Sequence, residues 1–213
     1  MDEIQDLISE LKDWMKEFRK PEMSWLPKDP YKILIACIIS LRTKDNVTNK
    51  AVINLFKMAE TPEEMVKIDE KDIERVIYPA GFYKKKSKII KDISRELIEK
   101  YNSKVPDKIE ELLKLKGVGR KTANIVLTLG FGKPGIAVDT HVHRISNRIG
   151  LVKTKKPEET ENELKRLLPK KYWIEYNSLL VTLGQNVCLP IGPKCSLCRI
   201  KKYCKKVGVL RYR

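Results

Sequence analysis

The sequence predicts an all-α fold. Apolar residues recur at helical spacing along most of the 213-residue chain, and recognisable helix-start signals precede several of these segments. The strict alternation of apolar and polar residues that marks β-strands is absent, as are long repeats and low-complexity linkers. These three observations together favour a compact helical protein without a sheet.

The periodicity places the helices in order along the chain. Helices are predicted over residues 4–18, 31–41, 45–56, 69–77, 86–101, 106–115, 121–129, 140–149, 157–168 and 172–186. Pro21 ends the first, Asp29-Pro30 begins the second, and a capping box at Thr61 begins a further short helix before residue 69. Residues 132–138 contain proline and glycine, predict an extended crossing, and are the best candidate for a domain boundary.

The helix predicted at residues 31–41 is apolar nearly all round, with an unbroken run from Ile33 to Ile39. A helix without a polar face is buried on every side. We therefore expect it at the centre of a bundle, with Cys37 as a small core residue and not as a ligand.

The chain is strongly basic, with 44 Lys and Arg against 28 Asp and Glu and a net charge of +16. This charge favours a nucleic-acid partner, although a Lys-rich surface is also common in proteins from thermophiles. No apolar run reaches membrane-spanning length, and the acidic N-terminus lacks a signal-peptide pattern. We expect an intracellular protein (cytoplasm or nucleoid) without a membrane partner, in which thiols stay reduced.

Four cysteines, Cys188, Cys195, Cys198 and Cys204, lie within 17 residues in the pattern C-x6-C-x2-C-x5-C. Four thiols so close together favour a metal or iron–sulfur site over two disulfides, and from the spacing alone Zn²⁺ remains possible. Lysines and arginines surround them, and we expect these cations to favour the thiolates that ligate metal.

A glycine turn separates two predicted helices at residues 115–121. Gly117 and Gly119 permit positive φ and close backbone approach, and the helix that follows begins with Arg120, Lys121 and Thr122. The exposed N–H groups of such a helix start bind phosphate without reading the base sequence. An ordinary packing turn between helices is the alternative, and the three polar residues favour phosphate binding over it.

Residues 115–124 (LKGVGRKTAN), residues 138–141 (VDTH) and the four cysteines together resemble the endonuclease III family, DNA glycosylases of the helix-hairpin-helix superfamily. The resemblance runs from about residue 29 to residue 204, and three separate motifs occur in order. It implies two all-α domains with a DNA groove between them. Residues 25–134 would form a six-helix barrel with the hairpin, and residues 1–24 and 135–213 a domain holding a [4Fe-4S] cluster on the four cysteines.

The resemblance also implies a base excision repair enzyme with glycosylase and AP lyase activities. Lys121 matches the nucleophile that attacks C1′, and Asp139 matches the catalytic aspartate. A lysine attacks only as a neutral amine, which a helix N-terminus, Arg120 and desolvation favour. From the residues alone, Lys121 would be a solvent lysine and Asp139 a helix N-cap.

The implied reaction removes oxidised pyrimidines from duplex DNA. The damaged nucleotide is flipped out, Lys121 displaces the base and forms a Schiff base, and β-elimination cuts 3′ to the abasic site. The lysine distinguishes this chain from family relatives that only remove the base. A non-catalytic DNA-binding module and a glycosylase for mismatched thymine or uracil are the alternatives.

Several further residues have expected roles. Phe82 matches the apolar wedge at a turn, with a core position as the alternative. Arg42 replaces the usual glutamine that fills the gap left by the flipped nucleotide, and Lys116 replaces a usual proline. Asp45 is expected to recognise the lesion or to cap a helix, and His141 to line the pocket.

The expected partner is double-stranded DNA with a damaged base or an abasic site, bound by a monomer. The predicted DNA-binding residues are Arg42, Phe82, Lys116, Gly117, Gly119, Arg120 and Thr122. The lysines beside the wedge turn are also expected to face phosphate: Lys84, Lys85, Lys86 and Lys88.

Overall fold

The computed structural model of the protein describes residues 2–18 and 26–213. Within these ranges it contains eleven α-helices, a few short 3₁₀ turns and no strand, so the all-α prediction is confirmed. The helices are α1 (Asp2–Met15), α2 (Pro30–Ser40), α3 (Asp45–Phe56), α4 (Pro62–Met65), α5 (Glu70–Ile77), α6 (Tyr83–Tyr101), α7 (Ile109–Leu112), α8 (Arg120–Ile125), α9 (Thr140–Ile149), α10 (Pro157–Leu167) and α11 (Trp173–Asn186). Pro21, the predicted end of the first helix, lies outside the described residues.

The helices divide into two compact units. One contains α2 to α8 and ends at Lys133, and the other contains α1 together with Pro134–Arg213. In the described part of the chain, every helix is too short or too polar to cross a membrane.

In the first unit, α2 is the central helix, as its composition predicted. Residues from Ile33 to Ile39 are all buried, and α2 contacts α3, α6 and α8. The Oδ1 atom of Asp29 accepts hydrogen bonds from the N–H groups of Tyr31 (2.8 Å) and Lys32 (3.0 Å) and so begins the helix. Because each buried Leu or Ile side chain contributes about 1.5–3 kcal/mol, the burial of α2 contributes strongly to the stability of this unit.

In the second unit, α9 and α11 pack against each other, and α1 packs on α11. Ile8, Leu11, Val142 and Leu180 are almost completely buried there, in one apolar core. The 3₁₀ turns of the cysteine segment contact α1. This unit thus combines the first helix of the chain with the helices that follow Pro134.

Three elements differ from the prediction. α7 covers only Ile109–Leu112, and α6 begins at Tyr83 because the left-handed backbone of Phe82 sets its start. α8 continues as a π-helix, Val126–Gly130, where the hydroxyl of Thr128 donates to the carbonyls of Asn124 (2.8 Å) and Ile125 (3.2 Å). A side chain that competes for backbone carbonyls in this way loosens the regular helical ladder.

Candidate active site and nucleic-acid interface

The glycine turn lies between α7 and α8, and its two glycines are used differently. Gly117 has φ +79°, and a Cβ there would lie 3.2 Å from Cγ2 of Ile89. Gly119 is the N-cap of α8 with an extended backbone (φ −97°), and no atom lies within 4 Å of where its Cβ would be. Of the two glycines, only Gly117 therefore has the expected positive φ. Gly119 has no side chain to cover the backbone at the start of α8, so a ligand can approach it closely.

Lys121 is the second residue of α8, and its side chain is exposed. The first hydrogen bond of this helix start runs from Ala123 N to Gly119 O (2.9 Å), so the preceding N–H groups point out of the helix end. Thr122 is only 4% exposed, which restricts its predicted DNA contact to the backbone N–H. The positive helix end and the exposed amine thus occupy one surface.

Cys37, in α2, is the core residue that the sequence predicted. Its side chain is 2% exposed. Burial raises the pKa of the thiol to about 12, and the nearby positive charge of Lys121 opposes that rise. Cys37 is therefore a neutral thiol at physiological pH.

Asp139 is the N-cap of α9, as the alternative interpretation held. Its Oδ1 atom accepts a hydrogen bond from Val142 N at 2.8 Å, and its side chain is half-buried. Among the described residues, Oδ2 accepts no hydrogen bond. Capping therefore fixes the carboxylate while leaving one oxygen for other chemistry.

Arg144, one turn along α9, connects His141 with the cysteine segment. Its Nη2 atom lies 3.2 Å from Nδ1 of His141 and donates to Cys188 O at 2.8 Å. A guanidinium only donates, so Nδ1 accepts and the imidazole carries its proton on Nε2. Gly184 of α11 makes this packing possible, because a Cβ there would lie 2.2 Å from His141 Nδ1. Sequence patterns gave no sign of this link.

Arg42 and Phe82 lie at two adjacent turns of the first unit. Both have left-handed backbones, with φ 51° and φ 58°, which is unusual for residues other than glycine. Phe82 is 61% exposed, so the alternative core position is wrong. The Arg42 guanidinium carbon lies 5.7 Å from the centre of the Phe82 ring, within the range of a cation–π contact.

Three other predicted site residues have surroundings that differ from those expected from the sequence. Lys116 forms an exposed ion pair with Asp92 (2.7 Å), so its charge already has a partner. Asp45 is the first residue of α3 and Lys44 is the N-cap, so the alternative capping role of Asp45 is wrong. Lys86 is only 4% exposed and cannot face phosphate as predicted.

The four cysteines line one small pocket of about 30 Å³ in the second unit. N–H groups lie near several of the sulfurs: Arg148 Nη1 is 3.6 Å from Cys188 Sγ, and Lys206 N is 3.4 Å from Cys204 Sγ. Four sulfur donors around one apolar pocket, with N–H groups directed at them, fit an iron–sulfur cluster. In the residues that the structure describes, no three His, Cys, Asp or Glu side chains are arranged to hold a single metal ion.

The surrounding cations act on these thiols in the expected direction, towards the thiolate, but burial acts against them and is the larger effect. Burial raises the pKa of Cys198 to about 11, and it also raises the pKa values of Cys195 and Cys204. The nearby charges of Arg148 and Lys206 act in the opposite direction but are weaker. Desolvation by tertiary packing therefore outweighs the local charge that the sequence displays.

A larger pocket, of about 630 Å³, lies in the first unit and contains none of the predicted site residues. Its lining includes Asp29, Glu60, Glu63 and Asp107. Among the described residues of the lining, Lys104 is the one basic residue, and this excess of carboxylates over cations disfavours phosphate.

Comparisons with known proteins agree with this fold and this hairpin. Residues 35–170 match the family described as HhH-GPD superfamily base excision DNA repair protein. Endonuclease III of Thermotoga maritima is 51% identical over 177 residues, which are 83% of each chain.

Two solved structures are also similar. A trapped endonuclease III–DNA covalent intermediate has a TM-score of 0.87 and 32% identity, covering 96% of this chain and 95% of the other. A thermostable thymine-DNA glycosylase has a TM-score of 0.86 and 25% identity, with 96% coverage of both chains.

The fold and the hairpin define the class of protein: a member of the HhH-GPD superfamily of base excision DNA repair proteins. Within that superfamily, the identity and the extent of the match place the chain in the endonuclease III family. The protein is thus a base excision repair DNA glycosylase.

Proposed function

We propose that this protein removes oxidised pyrimidines from duplex DNA and then cuts the strand 3′ to the abasic site through a Schiff base on Lys121. The observation that carries the proposal is the exposed Lys121 amine at the start of α8, beside the uncovered backbone of Gly119. A DNA phosphate bound at the helix start would bring a deoxyribose to this amine.

The Nζ atom of Lys121 carries both steps of the proposed reaction, base removal and strand cleavage. The lone pair of the neutral Lys121 Nζ attacks C1′, and the base leaves with the electrons of the glycosidic bond and gains a proton. The sugar ring opens as O4′ leaves C1′, which gives a Schiff base. Loss of a proton from C2′ then expels the 3′ phosphate, and water releases the lysine.

Asp139 has the second role in the proposal. Its Oδ1 atom is held by the backbone of α9, so the orientation of the carboxylate is fixed before substrate arrives. Oδ2 would stabilise the positive charge that develops on the sugar as the base leaves, and it would accept a proton from the attacking amine. We propose that His141 lines a substrate pocket, with Nε2–H as a donor.

Arg42 and Phe82 are proposed to enter the duplex and fill the space of the flipped nucleotide. Their exposed, adjacent side chains support this role. Asp45, near the first of the two turns, is proposed to contact the lesion. Gly117, Gly119, Arg120 and the Thr122 backbone would bind phosphate, and Lys116 would join them by exchanging its exposed partner Asp92 for phosphate.

We further propose that Cys188, Cys195, Cys198 and Cys204 hold a [4Fe-4S] cluster with a structural role. The cluster would order the basic segment that contains Lys201, Lys202, Lys205 and Lys206. The two compact units would then be the six-helix barrel domain and the iron–sulfur cluster domain. We propose that the protein works as a monomer, which light scattering would show as a mass near 24.7 kDa.

A trapping assay tests the proposed reaction. Incubation with a thymine-glycol duplex or an abasic duplex and borohydride should give a covalent protein–DNA adduct. Lys121→Ala should abolish the adduct, whereas Lys114→Ala, which removes an exposed lysine paired with Glu111, should keep it. An undiminished adduct with Lys121→Ala would refute the mechanism.

Removal of mismatched thymine is a second candidate function, favoured by Arg42 and by the similarity to a thymine-DNA glycosylase. Arginine offers only hydrogen-bond donors, which suit the O6 and N7 acceptors of guanine. A panel of thymine-glycol:A, uracil:G and thymine:G duplexes at one salt concentration separates the two functions. The proposed function requires the fastest excision on thymine glycol.

A further inference from the structure

Lys86 is a buried charge that the proposed reaction does not use. It lies in the first half of α6 with only 4% of its surface exposed. Its Nζ atom donates to Ile39 O (2.6 Å), Leu41 O (2.6 Å) and Thr43 Oγ1 (2.8 Å). An ammonium group has three N–H donors, so every one of them has an acceptor.

Two of these acceptors belong to the end of α2. The last carbonyl groups of a helix have no partner within the helix itself. Lys86 therefore caps α2 from a different element, and the chain immediately after the cap turns at Arg42.

Thr43 connects Lys86 to the second turn, which contains Gly81 and Phe82. Its Oγ1 atom accepts hydrogen bonds from Lys86 Nζ (2.8 Å) and from Gly81 N (3.1 Å). Gly81 is pressed against the first turn, because a Cβ there would lie 2.4 Å from Arg42 O. Phe82 follows directly, so Lys86 and Thr43 join the two turns into one structure.

Both turn residues have backbones that L-residues rarely adopt. Arg42 has φ 51° and Phe82 has φ 58°. Such conformations persist only where the surrounding structure holds them. The hydrogen bonds of Lys86 and Thr43 connect the two strained positions through the backbone, in addition to the contact between the Arg42 and Phe82 side chains.

We propose that Lys86 is a positioning residue whose ammonium group fastens the Arg42 and Phe82 turns together, so that both side chains enter the duplex as one unit. The inference rests on the proposed function, in which this pair replaces the flipped nucleotide. Lys86 then acts on nucleotide flipping and not on the chemistry at Lys121. Removing it should slow the reaction only where a duplex must be opened.

The test compares an abasic site in duplex DNA with the same site in a single strand, where no base pair needs opening. Lys86→Met keeps the length of the side chain and removes its donors. Lys100→Met removes the same charge from an exposed lysine at the other end of α6, where it pairs with Glu96, and is the matched control. Thr43→Val removes the bridging hydroxyl, and Thr43→Ser restores it.

Lys86→Met should lower the ratio of duplex to single-strand cleavage rates by about tenfold, and Thr43→Val should lower it in the same direction. Lys100→Met and Thr43→Ser should keep the wild-type ratio. A 2-aminopurine base next to the site should show less unstacking with Lys86→Met, because the wedge no longer enters as a unit. If Lys86→Met fails to fold, the Thr43 pair decides the question.

Equal losses on both substrates would overturn the inference, as would a wild-type ratio in Lys86→Met or matching ratios for Thr43→Val and Thr43→Ser. Failure of the proposed function gives a different result, since wild-type protein would then cleave neither substrate. The 2-aminopurine signal does not depend on cleavage, so in that case it would still show whether Lys86→Met reduces the unstacking of the neighbouring base.

Discussion

Alanine should have different effects at the two glycines of the hairpin: it should lower stability at Gly117 and weaken DNA binding at Gly119. In Gly117→Ala, a residue with a side chain must adopt φ +79°, which costs about 1–2 kcal/mol. Its Cβ would also lie 3.2 Å from Ile89 Cγ2, a flexible contact that gives way by a few tenths of an ångström. For a chain of this length, we expect the melting temperature to fall by about 2–8 °C.

Gly119→Ala has a different expected effect. The backbone is extended there, and the new methyl group meets no protein atom within 4 Å. Stability should therefore change by less than about 1 kcal/mol, since the loss of an N-cap glycine offsets the smaller entropy of the unfolded chain. The methyl group would, however, occupy the surface where we propose a DNA phosphate, so affinity for abasic duplex should fall about tenfold.

Thermal unfolding and fluorescence anisotropy with one labelled duplex, at one salt concentration, measure the two effects side by side. The expected pattern is lower stability for Gly117→Ala and weaker binding at unchanged stability for Gly119→Ala. The reasoning about the hairpin is refuted if Gly119→Ala binds DNA as tightly as the wild type does.

Three further predictions concern other parts of the molecule. Gly184→Ala would place Cβ 2.2 Å from His141 Nδ1, and the displacement should cost about 1–3 kcal/mol in urea unfolding, whereas Ser178→Ala in the same helix should cost far less. Burial lowers the pKa of Lys86 from 10.5 to about 8, so the native state binds fewer protons than the unfolded state between these pH values. The wild type should therefore become more stable relative to Lys86→Met as the pH rises through this window, and parallel stability curves would contradict the assignment. Purified protein should be yellow-brown with about four irons per chain, and Cys198→Ser should lose iron while Cys37→Ala keeps it; one zinc in a colourless protein would argue against the cluster.

The features that sequence predicted well are those set by local pattern. α2 is buried because its run of apolar residues has no polar face, and the helix at Pro62 begins with the capping box that Thr61 and Glu64 announce (Glu64 N to Thr61 Oγ1, 3.2 Å). The cysteine spacing likewise brings four sulfurs to one pocket. In each case the residues that decide the outcome are neighbours in the chain.

The features that the sequence did not predict depend on partners that are far apart in the chain. Lys86 stands in a run of lysines typical of a solvated surface, yet its acceptors come from residues up to 47 positions away. The link from Arg144 to Cys188 spans 44 positions. The raised thiol pKa values have the same origin, because burial is decided by packing that a local charge pattern does not record. The positive φ values of Arg42 and Phe82 are held by contacts of this long-range kind.

The bond between Lys121 and the sugar is the centre of this account, and peptide mapping of the trapped adduct tests it directly. After borohydride reduction, nuclease treatment and proteolysis, mass spectrometry should find the reduced deoxyribose remnant on the side chain of Lys121. A remnant on the N-terminal amine or on another lysine, with Lys121 unmodified, would contradict the account.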